Sequence, residues 1–253
     1  MYAFYINLDR DIERRRFLEG EIAAAGIEVE RVPGVLGADV PADLKDFFFT
    51  DGANSSGLRD AQIGCSASHL KVMRLIVERD LDAALVLEDD ARLPRDLKPI
   101  IDEILVRLSP EWDLVRLCRA PKRAVRPLAV LDGGRTLVRY SRVPVGAAGY
   151  LVSRNGAKKI LRLRKVSRPG DVEIAHPWEL DLDVYGVVPP PVTQERKALP
   201  STVSGKRGDL ARIWRAMPSP KRVVFNMRKL GFGWWVRCWL QNTVTRHIIQ
   251  VTR

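Results

Sequence analysis

Apolar and polar positions alternate in short blocks from the first residues onward. Tyr2 to Leu8 is an apolar run closed by Asp9 and Arg10, which predicts a strand. Asp9 or Asp11 can cap a helix reaching about Ala25, with Leu18, Ile22 and Ala25 on one face and Gly26 as C-cap. Ile27 to Val32 alternates and reads as a second strand. This β-α-β opening argues for an α/β fold with a parallel sheet. Residues 37–61 gather Gly, Pro, Asn and Ser around Phe47-Phe48-Phe49, the pattern of a long loop with an apolar anchor. Ser66 can cap a helix from about Ala67 to Arg79 with Leu70, Met73, Ile76 and Val77 inward. Asp96 to Leu108 is helical in period, and Trp112 to Cys118 reads as a strand. Two alternating runs flank Asp132-Gly133-Gly134-Arg135, a hairpin signal. Val145 to Val152 is a further strand, Ser153 caps a helix to about Arg164, and Leu182 to Val188 is a last strand before Pro189-Pro190-Pro191. A parallel first half and a hairpin in the second predict a mixed sheet.

One block is unlike the others. Ala83-Ala84-Leu85-Val86-Leu87 runs straight into Glu88-Asp89-Asp90. Side chains alternate along a strand, so Glu88 and Asp90 are expected on one side and Asp89 on the other. Two carboxylates at the end of a buried strand repel each other and are costly to desolvate, and a divalent cation relieves both costs. Mg²⁺ and Mn²⁺ favour such oxygen ligands beside a substrate's phosphates. The crevice of an open α/β sheet lies at the strands' carboxyl ends. The plain alternative is a solvated turn with an acid capping a helix.

Composition narrows the picture. At 253 residues, 46% hydrophobic and 29% charged, the chain reads as one globular domain with an extension. It contains no uninterrupted apolar stretch of membrane-spanning length, and its first residues read as a strand and not as a signal peptide. Cys65, Cys118 and Cys238 form neither metal spacing nor a disulfide framework, which suits a reducing cytosol, and three histidines argue against zinc. The net charge of +11 is unevenly placed: residues 1–200 hold 31 Lys/Arg against 30 Asp/Glu, and residues 201–253 hold 11 against Asp209 alone. Trp214, Trp234, Trp235 and Trp239 lie in that same segment. The expected division is a catalytic domain over 1–200 and a basic, Trp-rich, mainly helical extension over 201–253.

Four more stretches carry chemistry. Tyr5-Ile6-Asn7-Leu8-Asp9-Arg10 sets polar groups at the first strand's end, followed by Arg14-Arg15-Arg16, which are either a solvated helix face or cations for a diphosphate. Gln62 to His69 reads as a turn entering a helix, where amides bind anions or ribose oxygens and His69 sits in the first turn. Gly149 to Lys159 is a strand, cap and helix. Arg168-Pro169-Gly170-Asp171 through Asp183 packs Asp171, Glu179 and Asp181 around Trp178, an aromatic able to stack on a sugar.

In this order the motifs resemble glycosyltransferase family 25, the lipooligosaccharide and lipopolysaccharide galactosyltransferases and their collagen-modifying relatives, over roughly residues 2–195. The matching pieces are Tyr5 to Arg10 with Arg14-Arg15, Ile63-Gly64-Cys65 with Ser68-His69, Leu85 to Ala91, Gly149 to Ser153 with Gly156 to Lys159, and Pro169-x-Asp171. Gln62 departs from the family, where an acid is common, and so does Met73, where an aromatic is usual. The resemblance implies a GT-A-like α/β fold, a UDP-sugar donor, Mn²⁺ or Mg²⁺ at the acidic motif and inversion at the anomeric carbon. It assigns the metal to Asp90 and Glu88, and donor contacts to Asn7, Leu8, Arg10, Arg15, Ser68, His69 and Asp89. Inversion needs one base, and Asp171 is the first choice, with Asp181 and Glu179 as alternates. The acceptor would be a glycan, lipid-linked, reached at the inner face of the cytoplasmic membrane through the basic extension. The Lys/Arg and Trp of that extension suit an anionic membrane surface better than nucleic acid; the plain alternative is that the Trp cluster folds back onto the catalytic domain and the charges are solvated. The competing readings are a metal-dependent nucleotidyl- or phosphotransferase and a non-enzymatic membrane- or nucleic-acid-binding module.

Overall fold

The computed structural model describes residues 2–162, 165–195 and 219–251. Eight strands form one mixed sheet: β1 (Tyr2–Asn7), β2 (Glu30–Pro33), β5 (Ala83–Glu88), β7 (Leu114–Arg116), β8 (Val125–Leu131), β9 (Arg135–Tyr140), β10 (Gly149–Ser153) and β11 (Val184–Val188). Their order is β2-β1-β5-β10-β7-β11-β9-β8. β1 runs parallel to both β2 and β5, and β11 parallel to β7. β10 is antiparallel to β5 and β7 and separates the two parallel groups. The β8–β9 hairpin closes the far edge.

The alternation of β1 shows why the sheet is buried on both faces. Phe4 joins Val86 and Tyr150 in one core, while Ala3 and Tyr5 join Leu85, Leu87 and Leu151 in the other. α3 (Asp60–Glu78) and α5 (Arg154–Leu161) supply Leu70, Met73, Ile76 and Ile160 to the first core. α1 (Ile12–Ala25) and α4 (Leu97–Arg107) supply Leu18, Leu97, Ile101 and Ile104 to the second. This layering of helices on both faces of a sheet is the α/β class that the periodicity predicts. Gly26 ends α1 in the left-handed conformation, and the Ser153 hydroxyl accepts from the Gly156 amide at the start of α5, a cap worth about 1 kcal/mol.

Three local expectations are corrected. α3 begins at Asp60, so Ser66 is inside the helix and not at its cap. Gln62 reaches back to accept from the Arg59 amide, the second half of a capping box whose first half has no Ser or Thr to announce it. The predicted loop over 37–61 contains a short helix, α2 (Ala42–Lys45), and a small hairpin of β3 (Phe49–Thr50) and β4 (Ala53–Asn54), with Phe48 fully buried as its anchor. β5 stops at Glu88 and the chain turns before β6 (Ala91–Arg92), so strand alternation does not reach Asp89 and Asp90.

Glycines let α3 lie directly on the segment after β2. A Cβ at Gly64 would stand 2.4 Å from the Val35 carbonyl oxygen, and one at Gly37 would stand 2.1 Å from the Asp60 carbonyl oxygen. Backbone meets backbone there. After α6 (Gly170–Glu173) and α7 (Pro177–Leu180), the chain ends in α8 (Pro220–Leu230) and α9 (Phe232–Val251), which pack on the hairpin side of the domain. Leu230 and Cys238 are buried, Arg126 donates to the Leu230 carbonyl at 2.5 Å, and Asn242 accepts from the Ala124 amide at 2.9 Å. Among the described residues no helix is long and apolar enough to cross a membrane. Trp214, Arg253 and the side chain of Arg246, all part of the predicted basic extension, lie outside the described residues.

Candidate active site

β1, β5 and β7 all direct their carboxyl ends to one side of the sheet, and β10 begins there. The cavity at that end has a volume of about 300 Å³. Its walls come from Ile6, Asn7, Leu8, Arg10, Asp11 and Arg14, from Gly34 to Gly37, from the first half of α3, from Glu88-Asp89-Asp90, and from Arg119, Gly146, Ala147, Pro169, Asp171 and Gln194.

The three acids share this cavity, so the expected separation of Asp89 from Glu88 and Asp90 does not occur. α1 starts immediately after β1, and its first turn carries Arg14 back over the turn at 89–90. The Arg14 Nε donates to Asp89 Oδ1 at 2.7 Å, and its Nη2 lies 2.6 Å from that oxygen and 3.1 Å from Asp90 Oδ2. The other Asp89 oxygen accepts from Asn7 Nδ2 at 2.8 Å. Asn7 is thus a support for Asp89. Asp90 accepts from Gln194 Nε2 at 3.2 Å, because β12 (Thr193–Gln194) pairs with β6. Burial and then the neighbouring Glu88 push the Asp90 carboxyl above its ordinary range, against the pull of Arg14. Glu88 Oε1 faces His69 Nε2 at 3.2 Å, and His69 Nδ1 meets the Tyr150 hydroxyl at 2.8 Å.

The residues expected to contact a donor divide accordingly. Leu8 and Arg10 line the cavity. Arg15 does not: its Nε pairs with Glu19 at 2.9 Å on the exposed helix face, and Arg14 occupies the inward position. Ser68 and His69 do line the cavity, but from within α3 and not from an amide-bearing first turn. The Ser68 hydroxyl is engaged, accepting from the Val35 amide at 2.8 Å and donating to the Gly64 carbonyl at 2.7 Å. Ser66 also accepts an amide proton, from Gly170 at 2.9 Å, which ties α3 to the segment bearing Asp171.

Of the three candidate bases only Asp171 borders the cavity. Glu179 pairs with Arg168 at 2.6 Å, and Asp181 pairs with Arg228 of α8. Both lie away from the cavity. Trp178 is also elsewhere, with the Arg222 guanidinium 5.5 Å from its ring centroid and the His176 ring at 4.8 Å. Two further residues belong to the site: Arg14, which the basic run and the family motif contain without giving it a role of its own, and Arg119, which lies in no motif.

Two donor sets could hold a metal. Glu88 and Asp90 present hard carboxylate oxygens to one cavity, and their mutual repulsion is what a divalent cation would relieve. Cys65, His69 and Glu88 also bring donor atoms within 4.8 Å of one another, although the cysteines show no metal spacing in sequence. Burial and the carboxylates around it raise the Cys65 thiol well above its usual range, and thiolate and imidazole are softer ligands than Mg²⁺ or Mn²⁺ favours. The oxygen pair is the better match to Mn²⁺ or Mg²⁺.

A family model described as Glycosyltransferase family 25 (LPS biosynthesis protein) matches residues 1–175. A Glycosyltransferase 25 family member from Aedes aegypti is 29% identical over 176 residues, covering 66% of this chain and 29% of that protein. Procollagen galactosyltransferase 1-A of Xenopus laevis is 30% identical over 174 residues, covering 63% of this chain and 28% of that protein. Procollagen galactosyltransferase 2 of Homo sapiens is 28% identical over 170 residues, covering 62% and 27%. The chain thus spans less than a third of the length of these relatives.

Proposed function

The chain belongs to glycosyltransferase family 25, and we propose that it moves a sugar from a UDP-sugar to a hydroxyl of a surface glycan, with inversion, on a GT-A-like domain. The observation that carries this reading is the convergence of Glu88, Asp90 and Asp171 with Arg10 and Arg14 on one cavity at the sheet's carboxyl end. Galactose is the first donor sugar to test, because relatives are named as galactosyltransferases. The family's description supports a lipopolysaccharide-type acceptor.

Glu88 and Asp90 would hold Mn²⁺ or Mg²⁺. The ion supplies positive charge for the departing diphosphate. Asp171 takes the proton from the acceptor hydroxyl as that oxygen bonds to the anomeric carbon. The bond from that carbon to the diphosphate oxygen breaks, and its electron pair leaves with UDP. His69, braced by Tyr150, orients Glu88, while Asn7 and Arg14 fix Asp89. The acceptor is lipid-linked in this reading and is met at the inner membrane face. Arg228 and Lys229 pair with Asp181 and Asp183, and Arg228 stays 60% exposed. Exposed side chains on these helices include Lys221 and Val224 of α8 and Phe232, Arg237, Trp239, Leu240 and Val244 of α9.

The test combines UDP-galactose, Mn²⁺ and a lipooligosaccharide acceptor, with UDP release and glycan mass both measured. UDP release that depends on acceptor and stops with EDTA, together with a hexose gain, is expected. A phosphate or nucleotidyl gain on the acceptor would overturn the reading in favour of a phosphotransferase, and no release with any UDP-sugar would end it.

A further inference from the structure

Arg119 is held in an unusual way. Its backbone is in the left-handed region, φ 70°, which a side chain with a Cβ rarely adopts. Nothing in the sequence eases this, since Arg has no short polar group to bond its own backbone. Gly146, at φ 125°, lies against its side chain, and a Cβ there would stand 2.8 Å from the Arg119 Nε. Two unfavourable choices, a strained arginine and an obligatory glycine, are thus combined to place one guanidinium. That Nε is buried and has no hydrogen-bond partner among the described residues. The side chain borders the main cavity.

Strain kept at a cavity wall, with an unsatisfied donor, points from the outlier to a ligand. The cavity's other cations indicate which ligand. Arg14 is committed to Asp89 and Asp90. Arg10 stands at the rim with its side chain 66% exposed. Arg119 follows β7, two strands from β5, so it flanks Glu88 and Asp90 on the side opposite Arg14. Next to it, Cys118 bridges to Val192, which anchors the loop leading to Gln194.

We infer that Arg119 binds the diphosphate of the nucleotide donor, as a cation set across the acidic cluster from Arg14. This rests on the nucleotide-sugar reading above. A guanidinium matches phosphate oxygens with paired donors, and its terminal nitrogens are the ones that can serve a ligand, since the Nε is packed against Gly146. The backbone strain is then retained because it holds that fork in position before the nucleotide arrives.

The test measures binding of UDP and of uridine, each with Mn²⁺, by calorimetry, alongside Tm. Arg119→Gly removes both the guanidinium and the strain. Arg119→Gln keeps a polar stem of similar shape, and Arg119→Lys keeps the charge. UDP affinity should fall by about tenfold or more in the Gly and Gln variants, less in the Lys variant, and uridine affinity should be unchanged. Tm of the Gly variant should equal or exceed that of the unmodified protein. Unchanged UDP affinity in the Gln variant would overturn the inference, even if the Gly variant failed to fold. Equal losses of UDP and uridine would also overturn it, by reducing Arg119 to a shaper of the cavity. If the unmodified protein bound none of UDP, GDP or CDP with Mn²⁺, the nucleotide reading itself would fail, and this inference with it.

Discussion

Replacing Arg14 with Met tests how the acidic turn is held together. Arg14, Asp89 and Asp90 are 14%, 11% and 13% exposed as side chains, so this triad is shielded from water. Removing one partner of a buried ion pair costs about 3–5 kcal/mol, because the other charge is left desolvated. Asp89 keeps its bond from Asn7 and Asp90 keeps Gln194, which places the expected loss near the lower end, about 3 kcal/mol. For a domain of this size, each kcal/mol moves Tm by roughly 2–4 °C, so a fall of about 6–12 °C is expected by differential scanning fluorimetry at pH 7. The sign with pH follows from Asp90. Its carboxyl is already raised by burial and by Glu88, and without Arg14 it rises further. A carboxyl raised in the folded state penalises folding above its unfolded value, about 3.9, and not below it. The deficit of the variant should therefore shrink as pH falls from 7 toward about 4. Adding Asp89→Asn should recover part of the loss, with a coupling of about 1 kcal/mol or more. A loss under about 1 kcal/mol, independent of pH, is what a surface pair would give and would refute the reasoning.

Asp90→Asn should leave stability unchanged at acid pH and raise it progressively toward neutrality, since the raised carboxyl of the unmodified protein costs stability as pH climbs; a chemical-denaturation series that shows a loss at pH 7 would contradict this. The same variant should lose Mn²⁺-dependent UDP binding in calorimetry. Asp171→Asn should lower transfer by about 10²-fold or more with UDP-sugar affinity retained, whereas Asp181→Asn and Glu179→Gln, outside the cavity, should keep near-normal turnover in the same assay. Trp239→Ser combined with Leu240→Ser should cut co-sedimentation with anionic vesicles and leave Tm within about 2 °C, because both side chains are more than half exposed; undiminished sedimentation would remove α9 from the membrane reading.

The sheet was legible where its signal was local. The β-α-β opening, the Asp132-Gly133-Gly134 hairpin and the Ser153 cap all stand as their residues predict. The start of α3 was hidden because Arg59 occupies the position where Ser or Thr would mark a cap. Asp89 was placed on the wrong side because the rule of alternation holds only while the strand continues, and β5 ends one residue earlier. The choice of Arg15 over Arg14 failed on helix phase: three consecutive arginines look alike in sequence, and only the packing of α1 decides which one turns inward. Arg119 had no signal of its own. Its distinguishing features are a backbone angle and a glycine distant in the chain.

The contact of Gly37 and Gly64 with opposing carbonyls also bears on how the cavity can change over generations. One wall, from Gly34 to Gly37, is backbone pressed on backbone with no space for an added carbon at Gly37 or Gly64. An added carbon at Gly37 or Gly64 breaks the packing before it can alter what is bound, so those two positions are closed to selection for new substrates. The opposite wall presents side chains, Arg119, Asp171 and Gln194, on segments that leave the sheet. Descendants of this chain that accept a different sugar or a different hydroxyl should therefore differ along that wall and keep both glycines. Directed evolution toward a new donor would be best confined to libraries built there.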